Sequence, residues 1–525
     1  MALQGLNPDM TVIARKVSTL VSAALLSACL GQVLLAQTAL AQSIAKGSDV
    51  TPVSLPPATV NLPDMGSGAN ALITRTDEFQ IGRMMVHNLR QENLILEDPE
   101  STEYLQNLGM RIGAEAQEGN QAFSFFIIRD RSINAFAVPG GFIGANVGLI
   151  LMTNNESELA GVLAHEIGHV VQRHIARAVL AQSQNSIPMM AALLGAILLG
   201  VVSGSPDATM GGIAMAQGTA MQQQINFTRM EESEADRVGI SFLSAAEFDP
   251  SGMANFFGAM GRAEGVSLNE MPDLLKSHPV TALRIAEARS RAALLPARPA
   301  RQNATSYSLI RERLRVITAD TEADLRPYYA RLHSNGVDTL AQRYGAALAD
   351  MKAGDNQAAA STLQELLLSN PGLTLLHSAL GEAQMAAGQK DQALATFAGA
   401  VALFPRNVPL SVRYAETLMK AEQPAIAHQL LLDLFNNTQP TPAQIRLTAM
   451  AASAAGETGD AYYYMAEFHI SSGNLMLATQ QLDLALTEPH LTDVQRKRYF
   501  ARRDEIRGYL REQRLQRGSG STAGR

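Results

Sequence analysis

His165, Glu166 and His169 are the residues of this chain whose types and spacing point most directly to chemistry. They lie in Ala164-His165-Glu166-Ile167-Gly168-His169-Val170. On a helix, histidines four apart share one face, so both imidazoles can reach one ion. The glutamate between them is placed to take a proton from water on that ion. The chemistry this would serve is hydrolysis by zinc-activated water. The short motif alone is only moderately specific, so its surroundings must carry the rest.

Those surroundings predict a helix. Asn155 followed by Glu158 resembles a capping box, and Leu159, Val162, Leu163, Ile167 and Val170 recur at helical spacing. No proline interrupts residues 156–177. Two imidazoles and a carboxylate without a ligand would be costly among such apolar flanks. Gly168 costs roughly 1 kcal/mol of helix propensity relative to alanine, and a glycine there would let another backbone pass close to the metal.

A catalytic zinc needs a third protein ligand and an open fourth position. The extended metzincin pattern would place glycine three residues after His169 and histidine six after. Gln172 and Ile175 stand there instead, which excludes it. His174 is one place off and reads as a surface residue or an outer partner rather than a ligand. A better candidate is Arg229-Met230-Glu231-Glu232-Ser233-Glu234-Ala235-Asp236-Arg237-Val238-Gly239, also helical in pattern. Glu232 and Asp236 are four apart on one face, so one carboxylate could bind metal while the other orients a ligand histidine. Alone, an acidic helix is usually a solvated face; the upstream motif makes the metal reading the better one.

Together these residues resemble the M48 metallopeptidases. The helix of His165 and His169 is followed by Arg229, Glu232, Ala235 and Asp236 in an Arg-x-x-Glu-x-x-Ala-Asp pattern. Ser277-His278-Pro279 with Arg284 matches the family's late His-Pro-x-x-x-x-Arg segment. The resemblance spans roughly residues 70–295. It implies a zincin-like α+β domain holding one zinc ion per chain. It implies Glu232 as third zinc ligand beside His165 and His169, and Asp236 as the partner orienting a ligand. Glu166 would be the general base. The resemblance allows His278 two roles: a fourth ligand that holds the enzyme latent, or a stabiliser of the oxyanion with Arg284 nearby. Packing alone is a third reading of that histidine. Residues 133–143 read as strand, turn and strand, and resemble the zincin edge strand to which a peptide adds by main-chain hydrogen bonds; a plain core hairpin is the competing reading.

At 525 residues the chain has room for two to four domains. Its net charge of −7 and lack of a basic tract speak against nucleic acid as a partner. The single cysteine, Cys29, permits no intramolecular disulfide. Arg15 and Lys16 precede an apolar run from Val17 to Leu35, and Ala39-Leu40-Ala41 offers a small-residue cleavage site. That pattern predicts a signal peptide over 1–41 and a catalytic part outside the cytoplasm. One alternative is a lipoprotein anchored at Cys29, from Leu26-Ser27-Ala28-Cys29, and another is an uncleaved anchor; each also places the catalytic part outside the cytoplasm. Residues 42–70 read as a flexible lead-in. The apolar stretch 187–202 is short for a membrane span and reads as a hairpin over the site, with peripheral membrane contact as one role and a plain core helix as the other.

After Pro296-Ala297-Arg298-Pro299 the composition changes, and from about residue 305 the chain is alanine- and leucine-rich and helical in period. Gly354 and Gly388 are 34 apart, as are Pro371 and Pro405, and Ala359 and Ala393. This period resembles tetratricopeptide repeats. Two repeats are clear at 341–374 and 375–408, a third at 409–438 is weaker, and 461–488 reads as another with Gly473 at its turn. The expected organisation is mainly α: a metallopeptidase domain over 71–295, a linker over 296–322, an α-solenoid of repeats over 323–516 and a disordered tail over 517–525.

Among M48 members, a signal peptide, a soluble catalytic domain and C-terminal repeats resemble the group of β-barrel assembly-enhancing proteases. The resemblance implies the periplasm, unfolded or misassembled outer-membrane proteins as substrates, and the β-barrel assembly machinery as a partner of the repeats. Two function classes follow. One is a zinc endopeptidase. The other is a chaperone or assembly factor with a largely latent metal site. The intact general base favours the first.

Overall fold

Helices are started here by local side chains. In α1 (Arg75–Gln91), Thr74 and Asp77 form a reciprocal capping box. In α2 (Pro99–Gly113), the Asp98 side chain caps Ser101 and proline takes the first turn. The computed structural model describes residues 74–116, 121–178, 229–263, 274–275, 278–296, 305–321, 325–336 and 338–520. The proposed signal peptide and Cys29, the lead-in 42–70 and the apolar stretch 187–202 lie outside the described residues. The described residues within Pro52–Leu434 and Pro440–Arg525 form one compact unit, to which the stretch Phe435–Gln439 does not belong. No helix among the described residues is long and apolar enough to cross a membrane.

Three strands follow α2: β1 (Ser124–Ile128), β2 (Ala135–Val138) and β3 (Phe142–Asn146). Their order is β1-β3-β2, with β3 parallel to β1 and antiparallel to β2. Residues 133–143 thus hold the anticipated first strand, the turn and the start of the second strand, and among the described residues the first strand lies at a sheet edge. Gly140 and Gly141 make the turn at φ 83° and 89°, a region that favours glycine.

The short α3 (Val147–Met152) leads to α4 (Glu156–Val171). Asn155 caps α4 by accepting from the Glu158 amide, while the Glu158 carboxylate takes the Asn154 amide. The helix is buried almost all round: Leu159, Ala160, Leu163, Ala164 and Ile167 are fully enclosed. It is packed by α5 (Arg229–Ala245) and α6 (Ser251–Ala263), and α7 (Ala282–Ala293) closes this region against α5 and α6.

The stretch 296–322, expected as a linker, contains α8 (Thr305–Ile317). Tyr307, Ile310 and Leu314 enter the core of the peptidase-like region, and Leu309 and Val316 enter the core of the repeats. The helical period expected from about residue 305 thus begins at this helix, and its two apolar stripes each face a different core.

From α9 (Leu325–Ser334) the chain is wholly helical among the described residues. The pairs are α10 and α11 (Leu340–Lys352, Asn356–Ser369), α12 and α13 (Thr374–Ala386, Lys390–Leu403), α14 and α15 (Val408–Lys420, Pro424–Phe435), and α16 and α17 (Pro442–Ala454, Thr458–Ser471). The turns within these pairs hold Gly354, Gly388, Glu422 and Gly456, all at positive φ and each 34 residues from the last. Each is followed by the same closing bond, Asp355 to Asp350, Gln389 to Gln384, Gln423 to Leu418 and Glu457 to Ala452. The third repeat is weak in sequence because Glu422 occupies the left-handed position that glycine fills elsewhere. The series also runs on to Gly456, one turn before the Gly473 turn that joins α17 to α18 (Leu475–Thr487). The last helix, α19 (Asp493–Gly520), continues into the stretch 517–525 expected as a tail. Its approach through Arg511, Glu512, Gln513, Arg514 and Leu515 is rich in good helix formers.

Candidate metal centre

α4 and α5 cross at paired glycines. A Cβ on Gly168 would lie 2.9 Å from the Ala235 carbonyl oxygen, and one on Gly239 would lie 2.8 Å from the Ala164 oxygen. The two backbones therefore touch, as the sequence expectation for Gly168 required. This contact brings His165 and His169 of α4 against Glu232 and Asp236 of α5. His278 comes from the segment before α7, and Arg284 from the first turn of α7.

Ligand atoms of His165, His169, Glu232 and His278 all lie within 4.8 Å of one another, and all four residues are buried. His169 Nε2 is 3.0 Å from His165 Nε2, and His278 Nδ1 is 3.3 Å from His165 Nε2. Glu232 stands 3.5 Å from His165, 3.4 Å from His169 and 2.8 Å from His278. Four ligands about 2.0–2.1 Å from a tetrahedral zinc would be about 3.3 Å apart, so these spacings suit that ion. The donor set, imidazole nitrogen plus carboxylate oxygen, suits it too. Glu166 supplies a further sign: its buried Oε1 has no hydrogen-bond partner and faces His278 Nε2 at 3.8 Å. A buried carboxylate oxygen left so is costly unless a cation or water completes the site.

Arg284 ties the acidic pair down. Its Nε and Nη2 each lie 2.8 Å from an Asp236 oxygen, and Nη1 is 2.7 Å from Glu232 Oε2 and 2.8 Å from the Pro279 carbonyl oxygen. The guanidinium lies over the Phe257 ring at 4.9 Å, and that ring meets His165 edge-on. Asp236 Oδ1 is also 2.9 Å from His165 Nδ1.

Burial pushes the Asp236 carboxyl up, but hydrogen bonds from His165 and Arg284 pull it below its ordinary value. Burial likewise opposes charge on Glu232, yet the neighbouring His278 and His169 hold it well below the usual carboxylate range. Burial drives the His169 imidazole well below its ordinary value. Burial lowers His278 as well, but Glu232 and Glu166 outweigh it and raise the net value. The cluster is thus set to present carboxylates in the charged form that cations bind.

All seven residues singled out in sequence, His165, Glu166, His169, Glu232, Asp236, His278 and Arg284, meet at this one place. Ser277 lies outside the described residues. His174 is fully buried beside the cluster, not at the surface. Glu234, which it contacts, gave no sequence signal because it sits in an acidic run where any member could face solvent.

Residues 99–292 match the family described as Peptidase family M48. The chain is 32% identical over 453 residues to the Beta-barrel assembly-enhancing protease of Yersinia pestis, covering 86% of this chain and 92% of that protein. It is 31% identical over 449 residues to the protein of the same name from Escherichia coli strain K12, covering 85% and 91%. It is 29% identical over 185 residues to the Mitochondrial metalloendopeptidase OMA1 of Schizosaccharomyces pombe, covering 35% of this chain and 51% of that protein.

Proposed function

Because the chain belongs to peptidase family M48 and is a metalloendopeptidase, we propose that it is a zinc enzyme of the periplasm that cuts misfolded or stalled outer-membrane proteins. The observation that carries the zinc reading is the convergence of His165, His169 and Glu232 around one point with Glu166 alongside. The substrate class rests on what the two long relatives are named for. The periplasmic location rests on the signal-like pattern of 1–41 and its cleavage site after Ala41.

His165, His169 and Glu232 would hold the zinc ion. When bound, zinc polarises a carbonyl and lowers the pKa of water to about 7. Glu166 takes the proton of the attacking water and hands it to the leaving amine. Asp236 Oδ1 stands 2.9 Å from His165 Nδ1, a contact that would hold that ring with Nε2 turned to the ion. Arg284 balances the charge of Asp236 and Glu232, and its contacts are fully engaged there, so its role is to position the carboxylates. The substrate would be held extended along β2, the edge strand packed against α4. The repeats would recruit substrate or the β-barrel assembly machinery.

A second reading has its own support. His278 sits inside the ligand cluster, where it would fill the fourth position and keep the enzyme latent. Its amide bonds to the Leu274 carbonyl, and the Leu274 amide bonds to the Ile133 carbonyl just ahead of β2. The segment carrying His278 is therefore tethered beside the edge that a peptide would use. In this state the chain would act as a chaperone or assembly factor.

The test is cleavage of an unfolded outer-membrane protein by the purified chain, comparing wild type, Glu166→Gln and His278→Ala at matched zinc occupancy. Cleavage that vanishes in Glu166→Gln supports the enzyme. Faster cleavage by His278→Ala supports latency, and slower cleavage supports a transition-state role. Failure of both zinc-loaded wild type and His278→Ala to cut any unfolded substrate would overturn the catalytic reading.

A further inference from the structure

α4 does not simply run out after His169. Its C-cap is Gln172, and the next residue, Arg173, turns to φ 52°, the left-handed region that side chains other than glycine rarely adopt. Arg173 is held in that turn by Glu78 of α1 at 3.1 Å. Past it the chain resumes helical form from His174. The reversal aims the His174 ring back at His169 instead of letting it continue along α4.

His174 Nδ1 lies 2.8 Å from His169 Nδ1, with the two rings 4.8 Å apart and edge-on. On its other side His174 Nε2 lies 3.2 Å from Glu234 Oε2, and Arg177 Nη1 lies 3.1 Å from the same oxygen. Glu234 belongs to α5, between Glu232 and Asp236, but leaves the helix on the opposite side. Two residues of one helix thus serve the two histidines of α4. Asp236 reaches His165 directly, and Glu234 reaches His169 through His174.

The chemistry of this chain of contacts is constrained. For His169 to offer its Nε2 lone pair to the cluster, its ring proton must sit on Nδ1. A hydrogen bond between two Nδ1 atoms needs one bare partner, so His174 must carry its own proton on Nε2. That proton points at the Glu234 carboxylate, which Arg177 balances. Each donor then meets an acceptor, and no other assignment satisfies all three contacts while leaving His169 Nε2 bare.

We propose that His174 is a positioning residue for the metal centre: it fixes the tautomer and orientation of His169, and Glu234 anchors it. The inference rests on the reading of His165, His169 and Glu232 as zinc ligands. The two histidines are therefore oriented by unlike devices, one by a charged carboxylate and the other by a neutral imidazole leaning on one. Outer partners of this kind set metal retention, and their loss typically weakens binding 10- to 100-fold.

The experiment is zinc competition against a chelating dye, with the metal release rate, on the full chain as wild type, His174→Phe, His174→Asn and Glu234→Leu. The melting temperature of each metal-free chain is measured alongside. In His174→Phe the affinity should fall about 10- to 100-fold and release should quicken. His174→Asn offers an amide oxygen near the position of Nδ1, so its affinity should return to within about threefold of wild type. Glu234→Leu should lose affinity between these limits. Equal zinc affinity in wild type and His174→Phe overturns the inference. So does a loss in His174→Asn as large as in His174→Phe. If His174→Phe does not fold, Glu234→Leu decides, since its side chain is 27% exposed and tolerates replacement; unchanged affinity there overturns the inference. If wild type itself binds no zinc, the underlying metal reading fails instead, which separates the two.

Discussion

The Arg413 guanidinium donates to both oxygens of Glu100, a residue 313 positions earlier, at 2.8–3.2 Å. It also reaches Asp98 at 2.7 Å, where Arg313 of α8 arrives from the other side at 2.8 Å. Glu382 of α12 lies 3.3 Å from Arg313 and 3.2 Å from Arg413, and Ser378 donates to Glu100. A buried arginine, Arg313, a half-buried one, Arg413, and three carboxylates thus bind the repeats to the start of α2. Asp98, the cap of α2, and Glu100, in its first turn, also lie at the positive end of that helix.

Arg413→Ala should release part of this junction. Removing one partner of a buried charge cluster strands the others, and typically costs about 3–5 kcal/mol. Hydrogen exchange should rise at the first turn of α2 and along α12 and α14, with a lower melting temperature. Unchanged exchange at both places would show that apolar packing alone joins the two regions.

Acid should act on the same junction. Burial works against charge on Asp98, but Arg313 and Arg413 outweigh it and hold the carboxyl well below its ordinary value. A depressed carboxylate stabilises the fold fully above its unfolded value of about 3.9. That stability is lost as pH falls from there through the depressed folded value. Asp98→Asn should therefore flatten the acid limb of the stability curve below about pH 4.

Glu103 should behave in the opposite sense. Burial first, and the nearby Glu100 second, push it up to about 7. Between about 4.5 and 7 the folded chain keeps a proton that the unfolded chain has lost, so stability falls as pH rises through that window. Glu103→Gln should be more stable than wild type at pH 8, by roughly 1–3 kcal/mol, and no more stable at pH 4. Denaturant melts at the two pH values check this, and equal differences at both would count against it.

Arg284→Ala should cost both stability and zinc, because Asp236 and Glu232 would lose their shared cation inside the fold. Arg284→Lys should rescue poorly, since one ammonium cannot span both oxygens of Asp236 and reach Glu232 as well. The check is melting temperature together with bound zinc. Full rescue by lysine would mean that charge, not the forked geometry, is what the site needs.

Gly168→Ala should be tested as the smallest insult to the helix crossing. A methyl group placed 2.9 Å from a backbone oxygen must push α5 away, because backbone cannot swing aside. Such overpacking typically costs about 1–3 kcal/mol. Activity should fall more than stability, since the displaced helix carries Glu232. A fully active variant would show that the two helices can part without disturbing the ligands.

How legible all this was depended on spacing. His165, Glu166 and His169 fall within one helical turn, so their geometry follows from periodicity. Glu232 is legible from its spacing to Asp236 on one helix face, while His278 and Arg284 come from separate elements and only family resemblance links them before the fold does. The contact between His174 and His169 was hidden because it depends on the backbone reversal at Arg173, which no residue type announces. Glu422 was hidden for a similar reason: a left-handed turn normally flagged by glycine is filled by a residue that flags nothing. The helical period from about residue 305 announces α8, but its place between two cores does not show in the sequence, because each of its two apolar stripes serves a different one.

That doubly buried helix has a consequence for the protein's lifetime. Cutting the chain after α8 would bare Leu309 and Val316, and cutting before it would bare the pocket of Tyr307, whose hydroxyl bonds to the Thr153 carbonyl. Neither half can be shed without injuring the other. The metallopeptidase domain is thereby kept from surviving as a loose catalytic fragment, because a break at the junction would injure the blade along with its handle.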